Sequence, residues 1–222
     1  MQAIFYDRAH AGRQLASRLQ QRQKQWQKFG TEWIVLALPR GGVPVACEVA
    51  TALHLPLDIM IVRKVGYPAN PEYAMGAIAS GDVSFINPAV TAMLRISQEE
   101  FDQVAQRELL ELRRREQLYR RGRLPLNVKG KNIFLIDDGI ATGSTMHAAI
   151  TALKKLHVKS IVIAVSADTV AELSSQVDDL ICLYAPADFP AVGCAYQDFS
   201  QTTDDDVKEL LDHAERELSS LE

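Results

Sequence analysis

Residues 133–145 read Ile-Phe-Leu-Ile-Asp-Asp-Gly-Ile-Ala-Thr-Gly-Ser-Thr, an order of residue types that leaves few folds open. The apolar run suits a short buried strand, and the chemistry then changes abruptly. Two adjacent carboxylates, Asp137 and Asp138, stand at the strand's carboxyl end, where open α/β sheets bind their ligands. A short loop, Gly139 to Gly143, hands over to a helical pattern opened by Ser144 and Thr145 and continued by Met146, Ala149, Ile150, Leu153 and Leu156. Free N–H groups at a helix start, with hydroxyls beside them, make an anion seat. An acid pair able to hold a diol, next to a phosphate cradle, suits a ribose 5-phosphate. A plain strand-to-helix turn would need only one carboxylate as a cap and leaves the hydroxyl-rich loop unexplained.

The rest of the chain repeats the alternation. Strand patterns at Trp33–Leu38, Leu57–Val65, Ser160–Val165 and Leu180–Tyr184 are separated by helical ones at Val43–Leu53, Ser97–Arg121 and Thr169–Gln176. Strands alternating with helices predict a doubly wound, mostly parallel sheet. An amphipathic helix over 8–29, capped by Asp7, precedes them, and a last one runs Asp204–Leu218. Ser97 and Glu100 form a capping box, with Ile96 and Phe101 as the hydrophobic staple. Gly81-Asp82 suits a two-residue hairpin turn between Tyr73–Ser80 and Val83–Ile86. The segment 66–71 (Gly-Tyr-Pro-Ala-Asn-Pro) carries too many breakers for regular structure.

Bulk properties set the outer limits. A chain of 222 residues suits one α/β domain with elaborations. No apolar run approaches the roughly 20 residues of a membrane span. The N-terminus lacks a basic and then apolar leader pattern, and the three cysteines, Cys47, Cys182 and Cys194, have no metal-ligand spacing. Reduced thiols in the cytoplasm are therefore expected. The net charge of −4 gives no global attraction to nucleic acid, so no nucleic-acid partner is expected. The five histidines show no spacing for a metal site or a triad, and His147 reads as structural.

The 133–145 stretch resembles the phosphoribosyl pyrophosphate (PRPP) signature of the type I phosphoribosyltransferases. The resemblance implies a five-stranded, mostly parallel core over about 31–184, with a flexible hairpin. It also implies a small hood from the peripheral segments 1–30 and 185–222, all in a single domain. Asp137 and Asp138 would bind the ribose hydroxyls, while Gly139, Ala141, Thr142, Gly143, Ser144 and Thr145 would wrap the 5-phosphate. Arg40-Gly41-Gly42 resembles the family's pyrophosphate loop, which often holds a cis peptide, here near Pro39–Arg40. Its glycines would let backbone amides approach an anion, and a guanidinium can fork two phosphate oxygens. Arg63 and Lys64, closing a strand, would meet the polyphosphate, with Tyr67–Tyr73 as a lid and Glu72 exposed. Asp137, Asp138, Arg40 and Lys64 would carry the catalysis.

The family's chemistry transfers the 5-phosphoribosyl group from PRPP to a nucleobase or other nitrogen acceptor, with Mg²⁺ held mainly through PRPP and pyrophosphate released. The expected activity is that of a pentosyl-transferring glycosyltransferase in nucleotide metabolism, and a homodimer is expected from the resemblance alone. Phe189 and Tyr196 are the candidate hood rings for the acceptor. Relatives acting on 6-oxopurines carry an aspartate where this chain has Ala141, which weighs against hypoxanthine or guanine. Including Asp7-Arg8…Ala11-Gly12, the whole length is most similar to a bacterial group without an assigned acceptor. The alternative is a PRPP-sensing regulator that binds RNA or a protein through the arginines at 113–123. Solvated charge paired with Glu111 and Glu116 explains that cluster more simply. A phospho-receiver domain would place its acids near the first strand, and neither Gly-x-Gly-x-x-Gly nor the P-loop ending Gly-Lys-Ser/Thr is present.

Overall fold

In the computed structural model, the described residues are 3–140, 143–167, 171–185 and 191–221; the side chains at 71, 72, 166, 167, 171 and 172 are also outside the description. The first half of the chain runs α1 (Arg8–Gln21), one turn α2 (Gln23–Trp26), β1 (Trp33–Ala37), α3 (Gly42–Leu53), β2 (Leu57–Ile59), β3 (Val62–Tyr67), β4 (Asn70–Ala79) and β5 (Val83–Ile86). The second half runs α4 (Pro88–Leu94), α5 (Gln98–Arg120), β6 (Asn132–Asp137), α6 (Ser144–Lys155), β7 (Ser160–Ala167), β8 (Asp179–Tyr184) and α7 (Asp204–Ser219). Five strands form a parallel sheet in the order β2-β1-β6-β7-β8, and β3-β4-β5 form a separate antiparallel sheet.

The central strands are apolar at nearly every position because both faces of the parallel sheet are covered. Successive side chains point to opposite faces, so each strand divides its residues between two cores. Val35, Ala37, Phe134, Ile136, Val162 and Ala164 join Leu15, Leu19, Val43 and Val49 of α1 and α3. Ile34, Leu36, Ile133, Leu135, Ile161 and Ile163 join Met146, Ile150 and Leu153 of α6 on the other face. The pairing of β1 with β6 keeps Ala37 level with Ile136, so both strands end side by side. That shared end is the floor of the site described below.

Several elements differ from the expectation. The helix read over 8–29 ends at Gln21; a separate turn and a 3-10 segment, Gln27–Phe29, carry Trp26 against Trp33 and Phe134. The single strand read over Leu57–Val65 is two strands in two sheets, divided at the buried Met60 and Ile61. The breaker-rich stretch 66–71 is not irregular. Gly66 and Tyr67 end β3 with a shift in register, a turn holds Pro68 and Ala69, and Asn70 starts β4. Bulges accommodate an extra residue by bending the strand, which is how this one tolerates Gly66. Helix α4 is an addition to the expected elements, although Asn87 caps it through Val90 N–H and Pro88 occupies its first turn.

Other local readings agree with the structure. Ser97 and Glu100 make the capping box of α5. Gly81 and Asp82 both have positive φ, +84° and +56°, and lie in the turn as expected, but Ala79 pairs with Val83, so the hairpin loop holds Ser80 as well and is not the two-residue turn expected. That turn packs on Leu156, and Lys155 Nζ donates to Ser84 O, so the base of the hairpin sheet is tied to the end of α6. Among the described residues, no helix is long and apolar enough to cross a membrane. The short helix read over Thr169–Gln176 is a 3-10 segment from Ala171; its first residues lie outside the description.

Candidate active site

The acid pair sits where β6 ends. Asp138 N–H donates to Asp137 Oδ1 at 2.9 Å, so the first carboxyl is tied to the backbone of the second acid. Ile140 is buried beyond them, and Gly143, with φ of +71°, begins α6. A glycine there supplies the left-handed backbone at little steric cost and offers no side-chain oxygen to the first N–H groups of the helix. Those groups suit an anion brought from outside. Ala141 and Thr142 lie outside the described residues.

The neighbouring loop from β1 shows why it contains two glycines. The Pro39–Arg40 peptide is cis, in line with the resemblance. A Cβ on Gly42 would come within 2.7 Å of Ile136 O and 3.0 Å of Asp137 Cα. One on Gly41 would come within 2.2 Å of Asp138 Oδ2. The loop therefore abuts the acid pair, and only hydrogen fits between them. Arg40 reaches the start of α7, where its Nη1 lies 3.5 Å from Asp204 Oδ1. The same Asp204 oxygen accepts from Tyr119 Oη at 2.7 Å. Burial, and then this hydrogen bond to a carboxylate, push the Tyr119 hydroxyl up to about 12, so it serves as a neutral donor.

The two chain ends close over Asp138. Phe5 N–H donates to Ala195 O, while Gln197 and Asp198 N–H donate to Phe5 O and Tyr6 O, joining the N-terminal segment to the segment before α7. Arg8, in the first turn of α1, donates from Nε to Asp138 Oδ2 at 2.7 Å and from Nη1 to Ser200 O at 2.7 Å. Its guanidinium carbon stands 3.9 Å from the Phe199 ring centroid. Tyr196 Oη donates to Asp138 O at 2.6 Å. Backbone and carboxylate of Asp138 are thus both held.

The electrostatics of the two acids differ. Burial and the adjacent Asp138 charge push the Asp137 carboxyl well above the ordinary carboxylate range; the Asp138 N–H and the Arg8 charge pull it only partly back. A neutral acid able to donate and a clamped carboxylate able to accept suit two neighbouring hydroxyls. Among the described residues, no group of three or more His, Cys, Asp or Glu could hold a metal ion.

The remaining candidates divide. Arg63 does not join the site. Its Nε and Nη2 lie 2.8 and 2.6 Å from Glu108 Oε2 of α5, because alternate residues of β3 face opposite ways. Lys64 instead lines a cleft of about 730 Å³ between the hairpin sheet and α6, together with Ser144, Thr145 and His147. Tyr196 is buried, with Phe5 and Phe199 at 5.4 and 5.1 Å, which corrects the expectation of an open ring for an acceptor. Phe189 lies outside the described residues. Arg8 was missed as a site residue, although a cation in a helix's first turn opposes the dipole and signals a partner elsewhere. The arginine cluster is engaged: Arg113 with Asp82, Arg114 and Arg115 with Glu111, Arg120 with Asp58, and Arg121 and Arg123 with Asp212.

Comparison with known proteins agrees with this geometry. The family model "Phosphoribosyl transferase domain" matches residues 5–184. Two Mycobacterium tuberculosis proteins, named "Putative phosphoribosyl transferase Rv0571c" (strain H37Rv) and "Putative phosphoribosyl transferase MT0597" (strain CDC 1551), are each 42% identical over 219 residues, 97% of this chain and 48% of theirs. The chain thus spans about half the length of these curated relatives. The crystal structure of TT1426 from Thermus thermophilus is 39% identical and covers 95% of this chain and 98% of its own, with a TM-score of 0.80. With acid pair, glycine loop and parallel sheet in this arrangement, and a match over most of its length, the chain belongs to the phosphoribosyl transferase domain family.

Proposed function

We propose that the chain transfers the 5-phosphoribosyl group of PRPP to a nitrogen acceptor with release of pyrophosphate. The observation that supports this reading is the close approach of Gly41 and Gly42 to Asp138 and Asp137, which brings the candidate pyrophosphate loop against the candidate ribose-binding pair. In the proposed reaction Asp137 and Asp138 hold the ribose 2′- and 3′-hydroxyls, and the start of α6 holds the 5-phosphate. The bond from C1 to pyrophosphate breaks as the acceptor nitrogen forms its own bond to C1. Positive charge grows on the ring, and the fixed Asp138 carboxylate stabilises it without reorganising. Arg40 exchanges its exposed contact with Asp204 for the departing pyrophosphate, to which a planar guanidinium offers a two-point fork.

Mg²⁺ fits this arrangement as an ion carried on PRPP oxygens, since such ions keep water and substrate ligands and need few from protein. When bound it would neutralise pyrophosphate. The 67–73 hairpin tip is proposed to exclude water from the loaded site.

The test is to incubate the protein with PRPP and Mg²⁺ against a panel of nucleobases and amines while following pyrophosphate. Acceptor-dependent release that disappears in the Asp137→Asn, Asp138→Asn double variant is the expected result. Release that persists in that variant would exclude this site. PRPP binding without turnover, together with salt-sensitive RNA binding, would favour the regulatory alternative.

A further inference from the structure

We infer that Arg8 is a positioning residue: it fixes the Asp138 carboxylate over Gly41 and couples the acid pair to both ends of the chain. The geometry carries this inference. Arg8 is 130 residues from Asp138 in sequence, yet their side chains, each 12% exposed, meet at 2.7 Å. The guanidinium has a second fixed point at Ser200 O and a third on the Phe199 ring, so its place does not depend on Asp138 alone. Cations over aromatic faces are attracted by the ring quadrupole. A cation held by backbone and ring on one side is a rigid anchor for the carboxylate on the other.

Three features around it agree with this role. Asp7 caps α1 through His10 N–H, which fixes the helix turn from which Arg8 projects. Gly12, one turn on, lies against Val45 O and Glu48 of α3, so α1 sits close to the helix that follows the glycine loop. Gly41 leaves room for the carboxylate and nothing larger. Charged groups reach this end of the sheet from several elements. Arg8 comes from α1, Arg40 from the β1–α3 loop with Asp204 as its partner, and Asp198 from the hood. The Ser200 N–H, and to a lesser degree Arg8, hold the Asp198 carboxyl below its ordinary range. Arg8 therefore acts on both signature acids, pairing with Asp138 and drawing the Asp137 carboxyl down.

A second consequence concerns ligand capture. Arg8 touches the segment 198–200 and Asp138 together, so a ligand that engages Asp138 acts on the hood through one side chain. Lysine could keep the charge but cannot fork to Asp138 and Ser200 in one plane.

This inference rests on the PRPP reading only for its ligand measurement; its first measurement needs no ligand. Carbon-detected NMR of aspartate carboxyls would be titrated in the wild type, Arg8→Gln and Arg8→Lys, with calorimetry of PRPP plus Mg²⁺ on each. In Arg8→Gln, the Asp137 titration is expected to move to higher pH, because the Arg8 charge that pulls it down is gone, and PRPP affinity to fall tenfold or more. In Arg8→Lys, that titration should return toward wild type while affinity recovers only in part. Should Arg8→Gln fail to fold, the comparison of Arg8→Lys with wild type still decides, through its affinity loss at unchanged carboxyl titration. Titrations and affinity equal to wild type in the folded variants would overturn the inference. Arg8-dependent titration in a wild-type protein that binds no PRPP would support Arg8 as the positioning residue and refute the ligand.

Discussion

A Cβ placed on Gly41 would stand 2.2 Å from Asp138 Oδ2, nearer than two such atoms can approach. The pyrophosphate-loop candidate and the ribose-binding candidate are thus in contact before any ligand arrives. Gly41→Ala must push Asp138 away from Arg8 or open the loop. Overpacking of this kind typically costs about 1–3 kcal/mol. We expect a modest drop in melting temperature with a PRPP affinity at least tenfold weaker, measured by calorimetry. Wild-type affinity in this variant would mean the carboxylate position is irrelevant to the ligand.

The raised Asp137 carboxyl predicts an unusual pH response. Its folded-state value lies above the unfolded value of about 4. Its stabilising contribution is therefore complete below that unfolded value and is lost as pH rises through the raised folded one. Asp137→Asn removes the penalty and can retain the acceptor for Asp138 N–H. Melting temperature should rise over wild type at pH 8 by about 2–4 °C for each kcal/mol relieved. Near pH 3 the two proteins should melt together, and PRPP binding should fall in the variant. An equal effect at both pH values would contradict the assignment of burial as the cause.

Arg120 and Asp58 make a further prediction, about the frame. Their side chains are each 8% exposed and meet at 2.9 Å. Arg120 also donates to Ile59 O and Glu116, while Asp58 accepts from Ile59 and Leu126 N–H. The pair fastens the end of α5 to edge strand β2. Removing one partner of a buried pair typically costs about 3–5 kcal/mol, because the other charge is left uncompensated. Urea unfolding of Arg120→Met should show a loss in that range. Adding Asp58→Asn should recover part of it, which a double-mutant cycle would read as positive coupling.

What the sequence made legible was local chemistry. The acid pair, the loop glycines, the Ser97–Glu100 box and the Gly81-Asp82 turn each declare themselves within a few residues. The parallel core was legible because strands buried on both faces are apolar almost throughout. What stayed hidden depended on distance. An apolar run from Leu57 to Val65 looks the same whether one sheet or two receives it. Nothing local distinguishes Arg120, whose partner is 62 residues away, from the more exposed arginines around it. Arg8 was visible as a residue, yet only the closure of both chain ends over the site gives it Asp138.

The separation of Arg63 from Lys64 yields the last prediction. As neighbours in β3 they point to opposite faces: Arg63 to Glu108 on α5, Lys64 to the cleft shared with Ser144 and Thr145. If that cleft receives the phosphates of PRPP, its cation contributes through charge at close range, and added salt should screen the contribution. Lys64→Gln should weaken PRPP binding about tenfold and flatten its dependence on salt. Arg63→Gln should lower stability through the stranded, largely buried Glu108 and leave affinity within about twofold of wild type, since alternate residues of a strand face opposite ways and Arg63 faces α5 rather than the cleft. Calorimetry at two salt concentrations separates the cases. A larger affinity loss from Arg63 than from Lys64 would mean that β3 turns its other face to the ligand, and the hairpin would then have to rotate on binding.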